Sequence, residues 1–288
     1  MSEILLKVEG EGFRPNKYDL RSTEKILTSY RQIIDHLVPL TIGQKTLTDR
    51  LKSEIKYETS FKPGSLEVWL DFVLPAAGIL AAVASQDGGH LISQKMSRLL
   101  SVVIDFRRLY TDFLEKGKKP KIGINIQDQP QVTVNLENVH TGGGDINISP
   151  IILPAASTTR SAVDRLVGSV DGSVVEQLLV KSEDIETIIT SKDQRIIGTQ
   201  KEELPDFLEI IGRLDGIAFT AHRGSLVTDN GRFPITWEED IRDKIKSLAD
   251  QDGIAFRVRP IVDHRRFKDD PVAFHVINCW DPQGRLWK

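Results

Sequence analysis

Cysteine is nearly missing: the 288-residue chain has a single one, Cys279. That excludes a disulfide framework and any cysteine-based zinc cluster, and it fits a reducing compartment. The histidines, His36, His90, His140, His222, His264 and His275, are scattered. None forms an HExxH pair or another familiar ligand spacing, so no metal site is expected. Gly-x-Ser-x-Gly does not occur, which leaves a hydrolase nucleophile elbow without support. GxGxxG is absent too. "VEGEGF" echoes it with Gly10 and Gly12 but runs into Pro15 rather than a helix start, and no cofactor is expected. Cys279 itself stands in an alternating stretch beside Trp280 and reads as a small packed residue.

Long apolar runs are lacking as well. The most apolar stretch, "FVLPAAGILAAVA" at 72–84, is shorter than the ~20 residues a spanning helix needs. It reads as a strand end followed by a helix opened by Pro75, with membrane activity through 74–84 as a minority alternative. The opening "MSEILLKVEG" carries an acid at position three and too few apolar residues for a secretory signal, so a cytoplasmic location is expected. There is no basic excess either. Lys and Arg number 38 against 41 Asp and Glu, a net charge of −3, so nucleic-acid binding would have to come from a local patch.

What is present is an ordinary globular composition, 40% hydrophobic and 27% charged, in a chain long enough for two domains. Ile4 to Val8 reads as a first strand. An amphipathic helix is expected over 20–38, with Ile26, Tyr30, Ile33, Ile34 and Leu37 on one stripe and Pro39 ending it. Alternating Ile55, Tyr57, Thr59 and Phe61, then Leu66, Val68, Leu70 and Phe72, flank Pro63-Gly64 and spell a hairpin with a type II turn. A longer helix follows over 90–116, its stripe running from Ile92 through Met96, Leu99, Val103, Phe106 and Tyr110 to Phe113. The basic cluster Lys116, Lys118, Lys119 and Lys121 suits a helix C-terminus.

"HTGGGDINIS" could cradle a phosphate or reverse the chain. A phosphate loop needs a helix directly after it, but here Asp145 to Ile148 alternates, as do Val132, Val134 and Leu136 upstream. The glycines read as a hairpin turn. A further helix is expected in "LPAASTTRSAVDRLVGSV".

Between 171 and 215 the chain turns acidic, with eleven Asp or Glu against five Lys or Arg, and "KEELPD" reads as a linker. The expected organisation is an α+β assembly or sensing domain over 1–200, made of β-hairpins and amphipathic helices, a linker over 201–212, and a small OB-like β-barrel over 213–288. In that last part Asn230-Gly231 marks a hairpin, Thr236 and Glu239 form a capping box before one short helix, and "GIAFRVRPIV" and "VAFHVINCW" supply two more strands.

This order of elements, with "SFKPGSLEV" and "VNLENVHTGGGDINI" as its hairpins, resembles an uncharacterised family of conserved bacterial proteins found on prophages and mobile elements. The resemblance implies an accessory, phage-conflict setting and carries no catalytic residue over to this chain.

Two sets of residues remain as site candidates. Glu54 and Lys56 stand two apart near a strand start, with Asp71 on the partner arm and Asp35 upstream, as in Mg²⁺-dependent nucleases of the PD-(D/E)xK type. The second set is cationic. Arg257 and Arg259 alternate with apolar residues on one strand, and His264, Arg265, Arg266 and Lys268 follow with Phe267 among them, His275 and Arg223 being possible neighbours. Small barrels bind single strands through such faces. The expected function is a non-enzymatic, homo-oligomeric binding protein whose partner is nucleic acid or an acidic protein, with the nuclease as the alternative.

Overall fold

The computed structural model describes residues 4–14, 17–44, 46–53, 55–72, 88–117, 120–124, 140–142, 145–182, 185–249, 251–267 and 270–282. The chain folds as two compact units, Met1–Gly198 and Thr199–Lys288. Both are mixed, and together they make the chain α+β.

The first unit is built on β1 (Ile4–Glu9), β4 (Ile55–Lys62), β5 (Ser65–Phe72), β9 (Gln177–Ser182) and β10 (Ile185–Thr190). They form an antiparallel sheet in the order β10-β9-β1-β5-β4. The small β2 (Phe13–Arg14) and β3 (Lys17–Tyr18) pair beside it, where Tyr18 packs on Phe61. The period-two alternation sets which side is buried. Leu6, Val68 and Val180 are cross-strand partners and lie in the core, where α1 (Leu20–Thr41) and α3 (Gly88–Glu115) pack; the short α2 (Asp49–Ser53) leads into β4. Both helices bury the stripes their sequences spell, except that Phe113 is only half-buried.

The turn at Pro63-Gly64 is as expected, with Lys62 opposite Ser65 and Gly64 at φ +81°. Pro39, however, does not end α1. It sits inside the last turn, and the helix stops where Gly43 turns left-handed (φ +71°) and the Gln44 N–H bonds back to the Pro39 carbonyl. The further helix is two, α4 (Ile152–Thr158) and α5 (Arg160–Val167), parted at Thr159.

Three arginine contacts bind α3 to the rest of this unit. Arg107 is buried, pairs with Asp164 of α5 and donates to the Ile196 carbonyl at 3.0 Å. Arg108 forks onto both oxygens of Asp193, at 2.6 and 2.9 Å. Arg195 pairs with Asp112. Asp193 also accepts from the Thr190 N–H at 2.9 Å. Burial alone would raise its carboxyl pKa, but these hydrogen bonds and the Arg108 charge outweigh it and hold the group below the ordinary aspartate value.

A second sheet runs β6-β8-β7, from β6 (Lys121–Ile124), β7 (His140–Gly142) and β8 (Asp145–Ile148). β7 and β8 are antiparallel, with Gly142 opposite Asp145, as a hairpin requires, while Gly143 and Gly144 lie outside the described residues. The upstream arm at Val132, Val134 and Leu136, the Pro75 helix and the 74–84 segment lie outside the described residues. No helix among the described residues is long and apolar enough to cross a membrane.

The second unit is a closed five-stranded barrel. Its strands are β12 (Leu208–Ala218), β13 (Arg223–Thr228), β14 (Gly231–Trp237), β15 (Ile254–Asp263) and β16 (Pro271–Trp280). Antiparallel pairing runs from β12 to β13 to β14; β14 then pairs parallel with β16, β16 with β15, and β15 back with β12. The core holds Leu226, Ile235, Trp237, Phe256, Val258 and Cys279, closed by Ile245 of α6 (Arg242–Ser247).

Three sequence expectations are corrected in this unit. Residues 201–212 are not a linker: Lys201–Glu203 form β11, paired to the end of β15, and β12 begins at Leu208. An edge strand with every side chain in solvent has the composition of a linker. Thr236 is not a helix cap but part of β14, where its hydroxyl meets His275 Nδ1 at 3.1 Å. Glu239 turns instead to Arg242 and His222. The hairpin reverses through Asp229 and Asn230, with Thr228 opposite Gly231 (φ +128°).

Candidate binding faces of the barrel

β15 presents Arg257 and Arg259 outward because their neighbours Phe256 and Val258 fill the core. Both guanidinium groups lie over one aromatic ring, that of Phe207, at 4.5 and 4.9 Å from its centroid. Phe207 is 42% exposed, and Arg259 also reaches Glu203 at 3.1 Å. Register extends this patch across the barrel. Arg259 is opposite His275, His275 is beside Thr236, and Thr236 is opposite Arg223. Directly paired residues point to one side of a sheet, so Arg223, Thr236, His275 and Arg259 form one outward row over four strands. Arg223 and Arg257 are exposed and have no carboxylate partner among the described residues. His275 lies 4.0 Å from Glu238.

The loop after β15 behaves differently from its expected role. Asp263, almost fully buried, accepts from the N–H groups of Gln200 and Arg265, both at 3.2 Å, and so caps a 3₁₀ turn over His264–Arg266. His264 is drawn inside, its Nε2 2.5 Å from Glu202. Phe267 takes a left-handed backbone (φ +58°) that turns its ring inward, leaving it 7% exposed. Neither residue reaches solvent to meet a ligand. Arg265 is half-buried, Arg266 is exposed 3.6 Å from Asp263, and Lys268 lies outside the described residues. The exposed aromatic of this face is thus Phe207, which the sequence hides in the acidic "KEELPDFLE" stretch. The signal available there was Phe207-Leu208, two large apolar residues in an otherwise charged segment.

A cleft of about 660 Å³ opens elsewhere on the barrel. Leu208, Ile210, Ile211, Phe233 and Phe274 line it. Its other lining includes Asp229, in the turn between β13 and β14, and Asp270, just before β16.

Of the nuclease candidates, register brings Lys56 and Asp71 together as direct partners on β4 and β5, and it does not bring Asp35 to them. Lys56 is exposed and is the cross-strand partner of Asp71, while Asp35 faces Tyr57 and Ile55 across a small cavity on the opposite side of β4. Glu54 and the Asp71 side chain lie outside the described residues. Among the described residues no group of three or more His, Cys, Asp or Glu could hold a metal ion. No protein-family model, curated protein or solved structure matches the chain.

Proposed function

We propose that the protein is a non-catalytic binding protein whose C-terminal unit is an OB-like barrel that takes single-stranded nucleic acid across its outer face. The observation that carries this reading is the row Arg223–Thr236–His275–Arg259, continued by Arg257 over the exposed ring of Phe207. Guanidinium groups spaced along a sheet face match a phosphate backbone, and an exposed ring offers a base a stacking platform. Strand order supports the barrel type. Numbered within the barrel, the strands close in the order 1-2-3-5-4, and the helix stands between the third and fourth. OB-folds bind oligonucleotides on the face of strands 2 and 3, between the loops 1-2 and 4-5. Here those strands are β13 and β14, and Arg223 lies at the start of β13. Assembly of like copies through the N-terminal unit, a cytoplasmic location and a mobile-element setting belong to the same reading.

Fluorescence anisotropy of the full chain with labelled single-stranded DNA and RNA, across a salt series, tests it. Binding should weaken steeply with salt, and replacing Arg223, Arg257 and Arg259 by Ala should flatten the log–log slope by about 0.7 per lost phosphate contact. No binding at low salt would remove the nucleic-acid reading and leave an acidic protein as the partner. Cleavage of the probe in Mg²⁺ would favour the nuclease instead.

A further inference from the structure

Gly212 marks where β12 changes partners. From Leu208 to Gly212 the strand is paired on one side with β15, and only from Arg213 does β13 join its other side. A Cβ on Gly212 would lie 2.5 Å from the Val227 carbonyl oxygen, so glycine lets β13 approach closely at this point. Before it, no strand among the described residues pairs with the second edge of Leu208–Gly212. Alternate main-chain N–H and C=O groups there face away from β15 without a strand partner.

This open edge is also apolar. Leu208 and Ile211 are 41% and 63% exposed, two of the large hydrophobic side chains left in solvent among the described residues. Proteins blunt free edges with lysine, proline or a covering segment. Residues 207–212 contain neither lysine nor proline. Leu208, Ile210 and Ile211 form one wall of the 660 Å³ cleft, which falls in the size range of built binding sites. Asp229 and Asp270 bring negative charge to it, both exposed and neither with an ion-pair partner among the described residues. Two unneutralised carboxylates repel a phosphate backbone and attract a cation.

We propose that this cleft docks an extended peptide segment of a partner protein, one that alternates apolar and cationic side chains and adds as a strand to the free edge of β12. Main-chain hydrogen bonds to Leu208–Gly212 would supply register. The apolar side chains enter among Ile210, Phe233 and Phe274, and lysines or arginines reach Asp229 and Asp270. The site is separate from the cationic row, and neither reading depends on the other.

The test uses the full chain and two fluorescein-labelled, N-acetylated, C-amidated heptapeptides, KVKFKVK and its glutamate counterpart EVEFEVE. The lysine peptide should bind saturably and at least tenfold more tightly than the glutamate peptide. Ile211→Lys, at an exposed position that tolerates the change, and the double variant Asp229→Asn with Asp270→Asn should each weaken it tenfold or more with melting unchanged. Arg257→Ala should leave it bound. Hydrogen exchange should slow at Leu208–Gly212 when the lysine peptide is added. Absence of saturable binding, equal affinity for both peptides, or protection that appears only outside Leu208–Gly212 would each overturn the proposal.

Discussion

The guanidinium carbon of Arg257 stands 4.5 Å above the centre of the Phe207 ring, in contact range for a cation–π pair on an exposed surface. Phe207 is 42% exposed, so part of its ring is within reach of a base. Phe207→Ala should therefore lower single-strand affinity by roughly 1–3 kcal/mol while changing stability by no more than about 0.5 kcal/mol. Phe267→Ala should do the reverse. Its ring is buried, so stability should fall by about 3 kcal/mol or more, with the salt slope of binding unaltered. Urea denaturation and anisotropy on the two variants separate these effects. Equal loss of affinity in both would mean that Phe207 is not the stacking residue.

Much of the fold was legible because it is written locally. Pro63-Gly64 between two alternating runs spells the β4–β5 hairpin within about 20 residues, and the stripes of α1 and α3 give both helices and their buried faces. The barrel strands were legible for the same reason. Their closure was not, because it depends on the parallel pairing of Ile235 with Phe274, which no short-range signal encodes. At the site, alternation fixed the outward direction of Arg257 and Arg259. The inward turn of Phe267 rests on a left-handed backbone that aromatic residues seldom adopt, so polarity alone pointed the wrong way. Phe207 was missed because it follows exposed β11, whose charges read as a linker.

Arg107 carries a second prediction. It is 2% exposed, and its partner Asp164 lies 57 residues further along the chain. Arg107→Ala empties a buried site and leaves the 21% exposed Asp164 with only the more distant Arg160, at 3.9 Å, among the described residues. It should therefore destabilise the N-terminal unit by about 3 kcal/mol, the low end for a broken buried pair. The apolar double change Arg107→Met with Asp164→Leu should recover most of that loss. Chemical denaturation of the three variants checks it, and a double variant as unstable as Arg107→Ala would show that packing, not charge, dominates there.

Asp193 sets an acid limit on the same unit. Its folded pKa is lowered, so its hydrogen bonds to Arg108 and the Thr190 N–H stabilise the fold fully above the ordinary aspartate value of 3.8. That contribution is lost as the pH falls below 3.8 and through the folded value. Asp193→Asn should therefore be less stable than the parent at neutral pH, and the gap should narrow on acidification. Urea midpoints for both proteins, followed from neutral pH to below 3.8, would show it. A constant gap would assign the effect to shape rather than charge.

Cys279 gives a direct reading of barrel closure. The thiol is fully buried on β16 among the core residues, and burial pushes its pKa up to about 11, so at neutral pH it is both shielded and protonated. Only the thiolate attacks a disulfide reagent. Native protein should thus label far more slowly with an aromatic disulfide than protein in urea, and the native rate should report opening of the barrel. Because the chain has no other cysteine, every labelling event comes from this site. Opening the β12–β13 contact with Gly212→Val, whose Cβ would lie 2.5 Å from the Val227 carbonyl oxygen, should raise that rate. Asp193→Asn, in the other unit, should leave the rate unchanged if each unit opens on its own. A native rate equal to that in urea would mean that β16 is not held closed between β14 and β15.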